Sequence, residues 1–269
     1  MNLTGERPME GSTPDSLLAL HDAGYREVLA RLGAGRVLDV GCGVGVETAR
    51  LAAPDRKVLG LDYHPETAIL ARKLYGPGGE HGTDVEFTAM DGAQLGLKSA
   101  SFDYVCSSHI IEHFMGPEQH VAELARVSAD DGTTFVITPN RPADFENPFH
   151  VYLFEADELA SMMRLFFHEV EILGLEGDEV LKADFAARRT TGERILKLDV
   201  LNLRTHMPRS WYVWSYERVL PAVYKVLGTK KSGVGSGLDH THFSISEVVL
   251  RTTPVLFAIA RKPRRFPER

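Results

Sequence analysis

The feature that most constrains this chain is a short apolar run, Arg36 to Val40, that passes through Asp39 into three alternating glycines, Gly41, Gly43 and Gly45. The run reads as a buried strand, and the residues after the glycines, Glu47 to Ala53, carry a helical spacing. A glycine turn between a strand and a helix lets backbone approach a ligand closely and tolerates positive φ. A second apolar run, Lys57 to Asp62, then completes a strand–helix–strand unit.

The alternation continues. It predicts a helix over Pro65 to Leu74, strands over Asp84 to Ala89 and Phe102 to Ser107, a helix over Pro117 to Val127 and a strand over Thr133 to Thr138. A helix over Glu155 to Phe167 and strands over Glu169 to Leu173 and Val255 to Ala260 complete the series, and a leading helix over Ser16 to Leu32 closes at Gly33. Such a pattern builds an α/β fold, a doubly wound, mostly parallel sheet of seven strands. Residues 1–15 read as a flexible start and 16–176 as the core. A long stretch, 177–246, reads as a helical cap inserted before the last strand, and 247–269 as that strand with a basic tail. Two helical stretches are expected in the cap, over Lys182 to Leu203 and Ser210 to Leu227, followed by a mobile Gly/Ser/Lys run.

Charge narrows the partners. A formal net charge of −7 gives no net-basic face for a phosphate backbone, so nucleic acid is not the expected partner. The one basic cluster, Arg261 to Arg265, reads as a solvated terminus. Cys42 and Cys106 both fall in apolar strand ends and read as small buried thiols suited to a reducing compartment. Met1 to Pro14 lacks an apolar signal core, and no run approaches the ~20 apolar residues of a membrane span, which points to a cytoplasmic protein.

The spacing of the glycines discriminates among ligands. A dinucleotide fingerprint would place glycine at 46, where this chain has Val46. Asp39, immediately before the turn, repels a pyrophosphate and attracts a sulfonium bearing an ammonium group. Asp62 ends the second strand 21 positions after Gly41, and an acid about 20 residues past the first glycine is where such folds grip a ribose diol. The alternative for Asp62 is an N-cap for the helix opened by Pro65. Asp91 follows the third strand, where its carboxylate could accept an adenine amine.

Taken together, the segments around VLDVGCGVG, LGLDYHP, FTAMDGAQL, SFDYVCSSHIIEHF and ADDGTTFVITPN resemble successive motifs of class I S-adenosylmethionine (SAM) dependent methyltransferases, the broad small-molecule group. The resemblance spans Arg36 to Arg141 and implies SAM as methyl donor and S-adenosylhomocysteine as product. It implies that Asp39, Gly41, Cys42, Gly43 and Gly45 surround the methionine moiety, that Asp62 binds ribose, and that Tyr63, Asp91 and Gly92 flank adenine. Ser107, Ser108 and His109 would line the cleft beneath the sulfonium. A further stretch, Asn147 to Leu159, resembles enzymes of this group that act on sugars or cell-envelope glycans.

The expected reaction is therefore methyl transfer to a small-molecule acceptor, a hydroxyl of a sugar, glycan or secondary metabolite. Aligning donor and acceptor supplies much of the rate. A hydroxyl must still lose its proton, and a neutral imidazole, ordinarily of pKa about 6.5, is a natural base. His113 and His150 are the first candidates, then His109. The string His109 to His113 also has the H-x-x-E-H spacing of zinc-peptidase helices, but no distal ligand accompanies it and no metal is expected. His240 and His242 could instead be carried over the cleft or join Asp239 on a metal. Trp211, Tyr212, Trp214 and Tyr216 form an aromatic cluster for core packing or a sugar face, while Arg204, Arg209, Arg218 and Lys225 nearby allow a membrane-surface helix. Rival readings are a SAM-binding regulatory or scaffold protein without catalysis, or a methyltransferase acting on nucleic acid or protein. The sequence leaves the oligomeric state open.

Overall fold

Strands buried on both faces need near-continuous apolar runs, and the chain supplies them at Val37 to Val40, Tyr104 to Cys106, Phe135 to Ile137 and Val255 to Ala260. In the computed structural model, which describes residues 13–144, 150–196 and 235–266, these runs lie in an eight-stranded sheet. The strands are β1 (Gly35–Val40), β2 (Arg56–Asp62), β3 (Glu86–Ala89), β4 (Phe102–Ser108), β5 (Ser128–Pro139), β6 (Phe167–Gly177), β7 (Phe243–Ser246) and β8 (Val255–Pro263). The helices are α1 (Asp15–Leu29), α2 (Val46–Arg50), α3 (Pro65–Tyr75), α4 (Pro117–Val127), α5 (Ala156–Met163) and α6 (Glu179–Leu196).

Strand order is β3-β2-β1-β4-β5-β8-β6-β7. The pairs joining β3, β2, β1, β4 and β5 are parallel, whereas β8 runs antiparallel between β5 and β6. The sheet is thus mostly parallel with an antiparallel C-terminal hairpin, and it gains one short strand, β7, over the seven expected. Register puts Val40 beside Leu61 and Ser107, and Asp62 beside Ala89, so four strands end at one edge.

Local chemistry sets the helix ends. Pro65 and Pro117 open α3 and α4 at the first turn, where the missing N–H costs nothing. A capping box between Glu155 and Glu158 starts α5. That helix stops at Met163 rather than reaching Phe167 as the periodicity suggested, because Phe167 is fully buried as the first residue of β6. The buried face of α4, with Val121, Leu124, Ala125 and Val127, packs into the core formed by Leu38, Val105, Val136 and Ala258.

The chain divides into two compact units. One gathers residues 24–143, 152–176 and 245–269 and holds the sheet core; the other gathers 1–23, 144–151 and 177–244. Within the second unit, His242 Nδ1 lies 2.8 Å from Asp178 Oδ2 and His240 Nδ1 lies 2.9 Å from Asp22 Oδ2. The two imidazoles considered as joint metal ligands with Asp239 thus pair with different carboxylates, while Asp239 accepts from Thr241. The aromatic cluster Trp211 to Tyr216, the basic residues Arg204, Arg209, Arg218 and Lys225, and the stretch from Ser210 to Leu227 lie outside the described residues.

The basic residues of the tail are solvent-exposed, as their composition suggests, but they are also tied to the fold. Arg261 to Pro263 belong to β8, and Lys262 pairs with Glu169. Arg265 donates to Asp130 at 2.7 Å and to the carbonyls of Ala125, Arg126 and Ser128. A guanidinium with five donors satisfies the frayed carbonyls where α4 meets β5. Among the described residues no helix is long and apolar enough to cross a membrane.

Candidate functional site

The sequence places its candidate residues after strands that prove to be neighbours. Loops following β3, β2, β1 and β4 leave the same sheet edge in that lateral order, about 4.8 Å apart per strand. Such edges are where doubly wound sheets bind ligands.

After β1 the three glycines have φ of 88°, 54° and 88° at Gly41, Gly43 and Gly45, a left-handed region that costs other residues about 1–2 kcal/mol each. Gly41 and Cys42 both donate to the Leu61 carbonyl, at 2.8 Å each, which ties the loop to β2. A Cβ at Gly41 would stand 2.3 Å from Ile110 Cγ2, so the missing side chain admits the turn that follows β4. A Cβ at Gly43 would meet nothing within 4 Å, leaving its backbone open to a ligand. Cys42 is buried, with Sγ 3.6 Å from the Gly43 carbonyl.

Asp39, expected near the methionine moiety, is held by protein partners. Its carboxylate is fully buried beneath the loop and accepts from the Tyr25 hydroxyl at 3.0 and 3.1 Å, from Thr48 at 2.5 Å and from the Cys106 thiol. Burial raises its pKa to about 6, opposed by these hydrogen bonds. Asp39 therefore anchors α1, α2 and β4 under the glycine loop. Nothing in the sequence marked Tyr25 except its place on a helical apolar stripe.

Asp62 ends β2 nearly buried, and its Oδ1 accepts the His64 N–H at 2.9 Å. The N-cap of α3 is His64, so Asp62 shapes the turn without capping the helix. Tyr63 beside it is 68% exposed and meets His64 edge-on at 5.3 Å, which leaves an aromatic face for a base. Asp91 is exposed, its Oδ1 accepting the Ala93 N–H at 2.9 Å, and Gly92 is buried behind it.

After β4 the two serines separate. Ser107 was expected in the cleft, but its hydroxyl is fully buried and lies 2.8 Å from His120 Nε2. Ser108 Oγ is buried with no hydrogen-bond partner among the described residues, an unusual state for a hydroxyl and one that a ligand would relieve. His109 then takes a φ of 53°, and a single 3₁₀ turn, Ile111 to His113, follows. The H-x-x-E-H string is therefore not an α-helix, and its histidines lack the i, i+4 geometry of a zinc-peptidase site. His109 Nδ1 is 3.5 Å from Oε1 of Glu112, whose other oxygen accepts from Thr138 at 3.1 Å. Glu112 is fully buried, a role no periodicity announces. His113 is half-buried at the end of the turn. His150 belongs to the other unit, where its Nδ1 lies 2.9 Å from Asp144 Oδ2.

The edge thus offers an open glycine backbone, a carboxylate for a diol, an exposed aromatic face and a buried unpartnered hydroxyl. That donor set fits a nucleoside linked to an amino acid.

Comparison with known proteins agrees with this set. Residues 38–136 match a family described as a methyltransferase domain. The chain is 32% identical over 176 residues to a Mycolicibacterium smegmatis protein named a probable S-adenosylmethionine-dependent methyltransferase, covering 63% of this chain and 66% of that one. It is 31% identical over 156 residues to the O-methyltransferase cnsE of Penicillium expansum, covering 52% and 55%. The chain thus spans less than two thirds of the length of these curated relatives. A SAM-dependent methyltransferase structure from Thermotoga maritima shares the fold, with a TM-score of 0.57 at 16% identity over 92% of this chain and 91% of that one.

Proposed function

We propose that this chain, which belongs to the class I SAM-dependent methyltransferases, transfers a methyl group to the hydroxyl of a small molecule. The observation that carries the reading is the strand order β3-β2-β1-β4, which lays out Asp91, Asp62, the glycine loop and His109 in one row. Three strand spacings give about 14 Å, comparable to an extended nucleoside–methionine conjugate. In this reading Tyr63 and Asp91 hold the adenine, Asp62 the ribose, and the Gly41–Gly45 backbone with Ser108 the amino-acid end. When bound, SAM supplies an electrophilic methyl on a cationic sulfur.

The chain's own residues then align the acceptor and remove its proton. His109 sits where the row ends, with the Glu112 carboxylate behind its ring; the imidazole accepts the hydroxyl proton while Glu112 offsets the charge that develops. The left-handed backbone at His109 is the kind of strained residue that packing holds in place at reactive sites. A second reading gives this task to His150, because its pairing with Asp144 at 2.9 Å is shorter. His113, half-buried at the end of the turn, is the third candidate.

The P. expansum relative is an O-methyltransferase by name, which supports oxygen as the accepting atom; the sugar or glycan reading rests on the sequence resemblance at 147–159. Labelled SAM incubated with the protein and a fractionated small-metabolite extract tests the proposal. A labelled, base-stable ether product together with S-adenosylhomocysteine release supports it. Tight S-adenosylhomocysteine binding without turnover on any fraction would instead favour the non-catalytic binder, and label in RNA or protein would favour the macromolecular rivals.

A further inference from the structure

The chain leaves the sheet edge after β3, and the loop carrying Asp91 and Gly92 has no ladder to hold it beyond Met90, whose N–H reaches the Asp62 carbonyl. Its anchors come from α4. His120, Glu123 and Arg126 recur every three residues on that helix and so share one face. Each takes a backbone group of the loop. His120 Nδ1 meets the Gly92 carbonyl at 2.8 Å, Glu123 accepts the Leu95 N–H at 2.6 Å, and Arg126 donates to the Leu95 and Leu97 carbonyls at 2.6 and 2.7 Å.

His120 is the member nearest Asp91, and it alone also reaches β4. A carbonyl can only accept, so Nδ1 must carry the proton, and Nε2 is left to accept from the Ser107 hydroxyl. The ring is fully buried and stacks on Phe114 at 4.6 Å with planes 13° apart. Gly92 lies on this pair. A Cβ there would stand 3.2 Å from Phe114 Cζ and 3.4 Å from His120 Nδ1, so the loop packs tightly on the pair.

We infer that His120 is a positioning residue for the nucleoside end of the methyl donor, fixing the Asp91–Gly92 turn to the end of β4 through its two ring nitrogens. The inference rests on the donor reading above. It explains why Ser107 faces inward and why a histidine is fully buried on α4.

Titration of wild type, His120→Ala, His120→Asn and Ser107→Ala with S-adenosylhomocysteine and with adenosine tests it, alongside melting temperatures. Asparagine can place an N–H near the Nδ1 position. His120→Ala should weaken both ligands about tenfold, the effect of one lost buried hydrogen bond, while His120→Asn stays within about threefold of wild type. Ser107→Ala, which leaves the Gly92 bond intact, should also stay within about threefold. Histidine ¹⁵N spectra of the wild type should show the Nδ1–H tautomer. A folded His120→Ala with wild-type affinity, an asparagine variant as weak as alanine, or an Nε2–H tautomer would overturn the inference even if His120→Ala fails to fold. A wild type that binds neither ligand would remove the donor reading itself, and this inference with it.

Discussion

Two buried groups pull the acid stability of this domain in opposite directions, and substituting one should expose the other. Burial raises Asp39 from 3.8 to about 6, so between those values the folded state holds a proton that the unfolded state has lost. Its contribution is fully present below pH 3.8 and is lost as pH rises through 6. His120 is the reverse: burial lowers it from 6.5 to about 4, its contribution is present above pH 6.5, and it is lost as pH falls toward 4. Each displacement corresponds to about 3 kcal/mol at about 1.4 kcal/mol per unit. Between pH 4 and 6 the two nearly cancel. In Asp39→Asn the His120 slope should stand alone. Relative to wild type, the variant should lose stability on acidification by about 1.4 kcal/mol per pH unit through this window. Urea denaturation of both proteins at half-unit steps from pH 7 to 4.5 reads this directly, and a constant offset from replacing the carboxylate does not matter. Parallel curves for wild type and variant would refute the assignment of a raised Asp39.

Asp62→Ala should weaken SAM at least about tenfold by removing charge-assisted hydrogen bonds worth ~1.5–3 kcal/mol; calorimetry on a folded variant with unchanged affinity would remove Asp62 from the site. Gly41→Ala faces both a φ of 88° and Ile110 Cγ2 at 2.3 Å, so it should cost about 3 kcal/mol or more of stability. Gly43→Ala, with open space around it, should cost only about 1 kcal/mol yet impair SAM binding; equal losses of melting temperature would contradict this contrast. His109→Gln should lower turnover by about 100-fold with S-adenosylhomocysteine affinity nearly unchanged. If His150→Gln shows the larger loss, the proton acceptor is the pair with Asp144.

The periodicities of 2 and 3.6 and the spacing of Gly41, Gly43, Gly45, Asp62 and Asp91 determined the alternating α/β fold and the loops proposed to meet a ligand. Both are local properties, readable because backbone conformation and strand ends leave marks within a few residues. The same locality explains what the sequence left open. Whether Asp39 faces a ligand or Tyr25 depends on a helix 14 residues earlier, and whether Ser107 lines a cleft depends on His120, 13 residues later. The Arg265 anchor on Ala125 and Ser128 and the antiparallel pairing of β8 with β5 join segments more than a hundred residues apart. A buried polar side chain must find its partner wherever the chain brings one within hydrogen-bonding distance, so tertiary structure alone decided which acids and hydroxyls were left for chemistry.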